Sequence, residues 1–444
     1  MAVSPARWAA YRILRQVESQ AAQAGEFIHS AFTAPLDERD AALAEELVLG
    51  VLRRREELDQ AILEAAGPRS GKLDPEVRLA LRLGIYQLHR LDRVPPHAAV
   101  SESVEIVKRA RKASAAGLVN AILRKLAVRP APRAASPELA VPAWLLDRWR
   151  RNFGDQAEPL ALATLERHPA YLRLNARFEA EETVDRLAAQ GVRCDPTELP
   201  LCRRVTAGNP AGTECFREGR VRIQDLGSQR VLSLLDLVPG QRFLDLCAAP
   251  GGKTFQALEQ VVGAGPAVAC DVSHRRLLAM RSLATLPVAL VVLDATRPLP
   301  FRGPFDRILV DAPCSGTGTL ARNPDIKWRL QPADLELLAA RQRAILSQAL
   351  QLLAPGGRLV YSTCSLEPEE NQGVVEAVVP PPFAIADQRL WLPIQAHGGA
   401  GIPSRARSKR CCAETEEPLL AVAAPLICRA APGDGFFACV IVLE

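Results

Sequence analysis

Residues 242–262, "RFLDLCAAPGGKTFQALEQVV", decide how the rest of the chain is read. A short apolar run ends in an acid at Asp245, a turn carrying proline and two glycines follows, and helical spacing begins near Lys253. Strand, tight turn and helix in that order are the unit from which parallel sheets are built. Glycines let the backbone approach a ligand closely, and the first amides of a helix offer donors. A phosphate-binding P-loop needs glycine five residues before the glycine of Gly-Lys-Thr, and Cys247 stands there, so that reading, and with it a nucleotide hydrolase, is weakened. No G-x-G-x-x-G of a dinucleotide site is present.

Outward from this unit the same rhythm continues from about residue 226. The runs "AVACD", "VALVVLD", "FDRILVD" and "GRLVYST" alternate with the helical patterns "HRRLLAMRSLA" and "DLELLAARQRAILSQALQLLA". The alternation predicts a parallel sheet with helices on both faces, which binds ligands beyond the carboxyl ends of its strands. Asp245, Asp271, Asp294, Asp311 and Thr363 should therefore gather along one edge. Asp271 follows Asp245 by 26 residues, a spacing at which an acid takes ribose hydroxyls. Asp294 could take the amino group of an adenine. Either acid could instead cap a helix, but as a set on one edge they favour a nucleoside cofactor.

Two cysteines occupy neighbouring loops of this sheet. Cys314 lies in "DAPCSGTGTLARNPDIKWR", after the fourth strand, and Cys364 in "STCSLEPEEN", after the fifth. The chemistry that uses such parts is methylation of a pyrimidine at C5, a poor nucleophile in the intact ring. A thiolate adding to C6 makes C5 an enamine carbon able to attack an electrophilic methyl; loss of the C5 proton then expels the thiolate. The attacking thiol must ionise, which nearby positive charge or amides assist. Asp311, three residues before Cys314, is the candidate to hold the base edge.

Residues 5–128 read as all helix: in "AALAEELVLGVLRRREELDQAIL", Leu43, Leu47 and Val51 recur at fourth positions. Lys108, Arg109, Arg111, Lys112, Arg124 and Lys125 cluster there, as a solvated face or as a surface for RNA phosphates. The stretch "RPAPRAASPELAVPAW" holds four prolines and reads as a linker. The organisation expected is helical over 1–130, linker over 131–144, a small α+β module over 145–225 and a Rossmann-like catalytic domain over 226–444.

At 444 residues the chain is long enough for two or three cores. It carries a net charge of +5, mild enough to permit a nucleic-acid partner without demanding one. No long apolar run suggests a membrane span, and the N-terminus reads as an amphipathic helix. The 11 cysteines include no C-x-x-C pair, which argues against zinc and, with the odd count, for free thiols in a reducing cytoplasm.

Together "DLCAAPGGKT", "DAPCSGTG…RNPDIKW" and "YSTCSLEPEEN" resemble the RNA cytosine-C5 methyltransferases that use S-adenosylmethionine, and "AVSESVEIVKRARKASAAGLVNAILRKL" resembles a NusB-like RNA-binding domain. That fusion is typical of bacterial 16S rRNA methyltransferases of the RsmB/Sun type. The resemblance implies Cys364 as nucleophile, Cys314 in product release, and Cys247, Ala248, Ala249, Pro250, Gly251, Gly252 and Lys253 around the methionine part of the cofactor. It implies Asp271 at the ribose, Asp294 at the adenine, and Asp311, with Lys253, at the junction of cofactor and base. Arg322, Asp325 and Trp328 match motif residues of the active site, which puts Arg322 and Trp328 among the RNA contacts; simple packing accounts for Trp328 equally well. A monomer without metal, acting on 16S rRNA, is expected. A tRNA methyltransferase and a non-catalytic RNA-binding assembly factor are the alternatives. The sequence departs from the pattern over residues 395–432, where Cys411 and Cys412 have no assignable counterpart, before Gly435-Phe436-Phe437 turn into a last antiparallel strand.

Overall fold

In the computed structural model of the chain, the strand–helix rhythm resolves into an eight-stranded mixed sheet. The structure describes residues 3–20, 23–28, 30, 32–128, 135–260, 266–283, 286–394, 426–429 and 433–443. Cys411 and Cys412 lie outside them. Two compact units emerge: one of residues 1–168 with 319–332, the other of 169–318 with 333–444.

The second unit holds both sheets. The smaller is antiparallel, in the order β2-β3-β1-β4, from β1 (Tyr171–Leu174), β2 (Arg193–Pro196), β3 (Cys202–Ala207) and β4 (Val221–Ile223). The larger runs β11-β10-β12-β9-β8-β5-β6-β7, from β5 (Phe243–Asp245), β6 (Ala267–Asp271), β7 (Ala289–Val292), β8 (Phe305–Asp311), β9 (Leu353–Thr363), β10 (Phe383–Leu392), β11 (Leu426–Arg429) and β12 (Phe436–Leu443). Strands β5 to β9 are mutually parallel. Strand β12 lies antiparallel between β9 and β10, as the Gly-Phe-Phe turn implied. Phe243, Leu244, Leu309, Val310, Leu359 and Val360 are fully buried, as strands covered on both faces require. Strand β2 and the helix Leu226–Ser233 were not anticipated. β2 buries no residue, so it carries no apolar signature.

Arg173 on β1 and Glu259 on the helix Gly252–Gln260 form a buried ion pair, 3% and 4% exposed. Gln224 accepts from Arg173 at 2.8 Å and donates to Gln256 at 2.6 Å, so polar groups bridge the small sheet to the catalytic helix. Burial lowers the Arg173 pKa and raises that of Glu259, so desolvation opposes the charge on each partner. Breaking such a pair strands the remaining charge. Arg173→Leu is expected to cost about 3–5 kcal/mol in urea unfolding, with much of the loss recovered when Glu259→Leu is added.

The first unit is helical. Its core is built from Pro5–Gln20, Glu38–Arg53, Pro75–Arg90, Pro96–Arg109 and Ala116–Ala127, which bury Leu14, Leu47, Val51, Leu83, Ile106 and Leu123. Asp37 caps the helix Glu38–Arg53 by accepting from the Asp40 amide at 2.7 Å. The compact units differ from the ranges read from sequence in two places. The helices Ala143–Phe153 and Ala157–Ala163 pack with this unit, not with the α+β module, and so does the segment 319–332, which had been assigned to the catalytic domain.

The reason for the second lies in unfilled carbonyls. Helix ends leave their last C=O groups without internal partners and carry partial negative charge. The Lys327 amino group, in a residue only 2% exposed, donates to the carbonyls of Ala140 at 2.8 Å, Arg53 at 3.2 Å and Thr164 at 3.4 Å, each at the C-terminal end of a different helix, while burial and then Arg53 and Arg54 push its pKa well down. The Trp328 indole N–H donates to the Leu52 carbonyl at 2.7 Å, and the Arg53 guanidinium donates to the Ala321 carbonyl at 2.8 and 3.1 Å.

Candidate active site

The carboxyl ends of the parallel strands bring the sequence-derived acids to one edge. Asp245, Asp271 and Asp311 end β5, β6 and β8, and Thr363 ends β9. Asp294 stands two residues past the end of β7, where its Oδ1 accepts from the Thr296 amide at 3.0 Å and hydroxyl at 2.7 Å, which lowers its pKa. It caps no helix.

The turn 247–251 is tied to this edge by its backbone. The Ala248 amide donates to the Cys270 carbonyl at 2.8 Å, and the Ala249 amide donates to Asp271 Oδ2 at 3.2 Å. Gly251 has φ +106°, and a Cβ there would lie 2.6 Å from Phe255 and 2.9 Å from Met280, so only glycine fits. Asp245, buried at the foot of the turn, accepts from the Thr254 hydroxyl at 2.7 Å and the Cys247 amide at 3.3 Å. Burial is the main cause that raises its pKa from 3.8 to about 7, partly offset by the Thr254 hydrogen bond and reinforced by Asp311. A carboxyl whose folded pKa is raised contributes stability that is present below its unfolded pKa and lost as pH rises through the folded value. The melting temperature should therefore fall more between about pH 4 and about pH 8 in the wild type than in Asp245→Asn.

Burial, with Asp245, Asp311 and Asp271 around it, pushes the Cys247 thiol pKa well up.

The two cysteines meet. Cys314 Sγ lies 3.3 Å from Cys364 Sγ. Through residues 359–367 every residue but Cys364 is buried, so the strand-end cysteine is the one that reaches out of the sheet. The hydrogen bond to Cys364, then burial, raises the Cys314 pKa well above that of a free thiol.

Beside them Lys253 Nζ donates to Asp311 Oδ2 at 2.7 Å, and the Ser362 hydroxyl donates to Asp311 Oδ1 at 2.9 Å. Burial works against the Lys253 charge, but Asp311, Cys364 and Asp245 outweigh it and hold its pKa above the ordinary value. A fixed cation near the Cys364 sulfur is what a thiolate requires.

Sequence reasoning missed what holds both cysteines in place. Glu370, fully buried, accepts the Ser315 amide at 2.8 Å and the Gln342 side chain at 3.0 Å on Oε1, and the Ser315 and Ser365 hydroxyls on Oε2. Each serine directly follows one of the two cysteines. The backbone adds a crossing: the Gly318 amide donates to the Cys364 carbonyl at 2.9 Å, and the Gly435 amide donates to the Gly318 carbonyl at 2.8 Å. A Cβ on Gly318 would sit 2.3 Å from the Gly435 oxygen. The only signals in the sequence were a third acid in "EPEEN" and two glycines far apart.

The residues expected to touch RNA are not gathered with the cysteines into one unit. Arg322, Asp325 and Trp328 belong to the helical unit, and the hydrogen bond of Trp328 to Leu52 matches the packing alternative. In the basic cluster Lys108 pairs with Glu105 at 2.6 Å, Lys112 pairs with Asp74 at 2.9 Å, Arg109 lies over the Trp8 ring, and Lys125 donates to the Ala65 carbonyl. Arg111 and Arg124 are exposed.

Comparison with known proteins agrees with this geometry. The family model of 16S rRNA methyltransferase RsmB/F matches residues 232–389, the NusB family model matches 4–128, and a ferredoxin-like domain of RsmF/B-like methyltransferases matches 141–202. The ribosomal RNA small subunit methyltransferase B of Xanthomonas campestris pv. campestris is 37% identical over 381 residues, covering 84% of this chain and 86% of its own. The chain belongs to the RsmB/F family of 16S rRNA methyltransferases. The probable ribosomal RNA small subunit methyltransferase B of Bacillus subtilis is 33% identical, covering 78% of this chain and 81% of its own. The crystal structure of PH0851 shares the fold, with TM-score 0.74 at 23% identity, covering 100% of this chain and 99% of that one. As an RsmB/F family member the chain is an S-adenosylmethionine-dependent RNA methyltransferase with a NusB-like helical domain, a ferredoxin-like module and a Rossmann-like catalytic domain.

The edge suits that cofactor: a turn too tight for any Cβ at Gly251, amides facing the strand ends, and a buried acid at Asp271 beside it.

Proposed function

We propose that the chain methylates C5 of a cytosine in 16S rRNA through a covalent bond between Cys364 and C6. The apposed sulfurs carry this reading, with Lys253 the nearby cation. The turn 247–253 and Asp271 would hold the cofactor, and Asp294 its adenine end. Bound S-adenosylmethionine supplies an electrophilic methyl group. Cys364 adds to C6, and Asp311, fixed by Lys253 and Ser362, faces the base edge as charge develops there. Once C5 carries the methyl, a base takes the C5 proton, the C5–C6 double bond re-forms and the Cys364–C6 bond breaks, with Cys314 assisting that release. Arg111 and Arg124 would meet RNA phosphates on the helical domain.

Free thiols and the absence, among the described residues, of any helix long and apolar enough to cross a membrane support a cytoplasmic protein acting on RNA during small-subunit assembly. The test is incubation with methyl-labelled cofactor and unmethylated 16S rRNA, followed by mass-spectrometric mapping. One 5-methylcytosine at a single site is expected; label on another base, or on tRNA alone, would refute the assignment.

A further inference from the structure

The helical unit contains a cavity of about 580 Å3 bordered by the helices Pro5–Gln20, Arg55–Ala66 and Pro75–Arg90 and by residues 325–329. That volume is within the range of about 300–1,000 Å3 usual for small-ligand sites. Val17, Leu52, Leu79 and the Trp328 indole form its apolar wall.

Its charged groups pair off, with one exception. Arg15 faces Glu76 at 3.7 Å, Asp325 takes Arg329 at 3.2 Å, and Glu18 takes Arg82. Arg55 has no carboxylate within ion-pair distance among the described residues, and its buried Nε has no acceptor. Its guanidinium carbon stands 5.1 Å from the Trp328 ring centroid. Burial, then the charge of Arg82, lowers its pKa against the pull of Glu18 and Asp59. A buried donor without an acceptor costs free energy, so the site is incomplete as it stands.

What completes it must bring an anion for the guanidinium fork and a flat apolar body for the wall. A free phosphate leaves the wall uncovered, and an aliphatic molecule leaves Arg55 unmatched. Aromatic side chains beside arginine receive unpaired bases and their phosphates in single-stranded RNA.

We propose that this cavity receives one unpaired nucleotide of the RNA substrate, its base against the wall that ends in Trp328 and its phosphate on Arg55. The proposal rests on the reading of the chain as an RNA methyltransferase, and it adds a second point of substrate recognition in the helical unit.

The experiment uses the full-length protein and a single-stranded RNA carrying 4-thiouridine. Irradiation followed by peptide mapping should find the cross-link on Trp328 or on the peptide around Arg55. Cross-links confined to other peptides would overturn the proposal. In parallel, Arg55→Gln should weaken binding of the same RNA, read by fluorescence anisotropy, roughly tenfold, with cofactor affinity unchanged and the loss in turnover falling on KM for RNA. Arg55→Lys should recover part of the loss, since it keeps the charge without the fork. An Arg55→Gln protein that binds RNA as the wild type does would overturn the proposal while methylation continued. Absence of methylation by the wild type would be a failure of the functional reading itself.

Discussion

Cys364→Ala is expected to abolish RNA methylation, with about a 10³-fold or greater loss of kcat, because addition of its sulfur to C6 is the step proposed to make C5 nucleophilic. Cofactor affinity should hold, since the hydrogen bonds that fix the turn 247–251 run to Asp245, Cys270 and Asp271 and not to Cys364. Cys314→Ala should behave differently. With the release partner gone, a covalent protein–RNA adduct should accumulate as a slow band on denaturing gels when cofactor is present. The double variant should show neither product nor adduct. A Cys364→Ala protein with wild-type turnover would move the nucleophile elsewhere, and Cys314→Ala turning over without an adduct would remove its role in release.

The second large effect is expected at Glu370, which touches neither RNA nor cofactor in this scheme. Its carboxylate is the common acceptor for the residues that follow both cysteines. Glu370→Gln presents an amide where donors already crowd. The serine hydroxyls must turn away, and the two sulfurs lose their fixed separation of 3.3 Å. Misplacement by about 1 Å costs on the order of 10²-fold in rate, and that loss is expected in kcat with cofactor binding retained. The readout specific to positioning is the adduct: Glu370→Gln in the Cys314→Ala background should slow its formation as strongly as it slows turnover. If turnover falls and adduct formation does not, Glu370 supports stability alone. Glu370→Ala should also cost about 3 kcal/mol or more of stability, since it leaves several buried donors unmatched.

How much of this could be read from residues alone differs from element to element. The parallel strands were legible because strands buried on both faces leave continuous apolar runs, each closed by an acid or a threonine. Asp294 was displaced by two residues, because "VALVVLD" looks like strand to its end while the ladder with β6 stops at Val292. Meeting of the cysteines followed from adjacent loops on adjacent strands, and β8 and β9 are indeed neighbours. Glu370 was not legible: of the three acids in "EPEEN", Glu367 and Glu370 are both fully buried, and only three-dimensional context decides that Glu370 receives both serine hydroxyls. Nor was the membership of residues 319–332. Lys327 and Trp328 look like a surface cation and an active-site aromatic until three helix ends are seen to converge on one buried amino group.

That convergence bears on how the molecule can be taken apart. Cutting at the proline-rich stretch would separate two pieces, neither of them finished. The catalytic piece would carry an indole and a lysine parted from their acceptors at Leu52 and Arg53, and the helical piece would keep those carbonyls unfilled. Co-expression of the halves should rescue solubility where either half alone precipitates, because Lys327 and Trp328 lie 274 and 276 residues from the Arg53 and Leu52 carbonyls they fill.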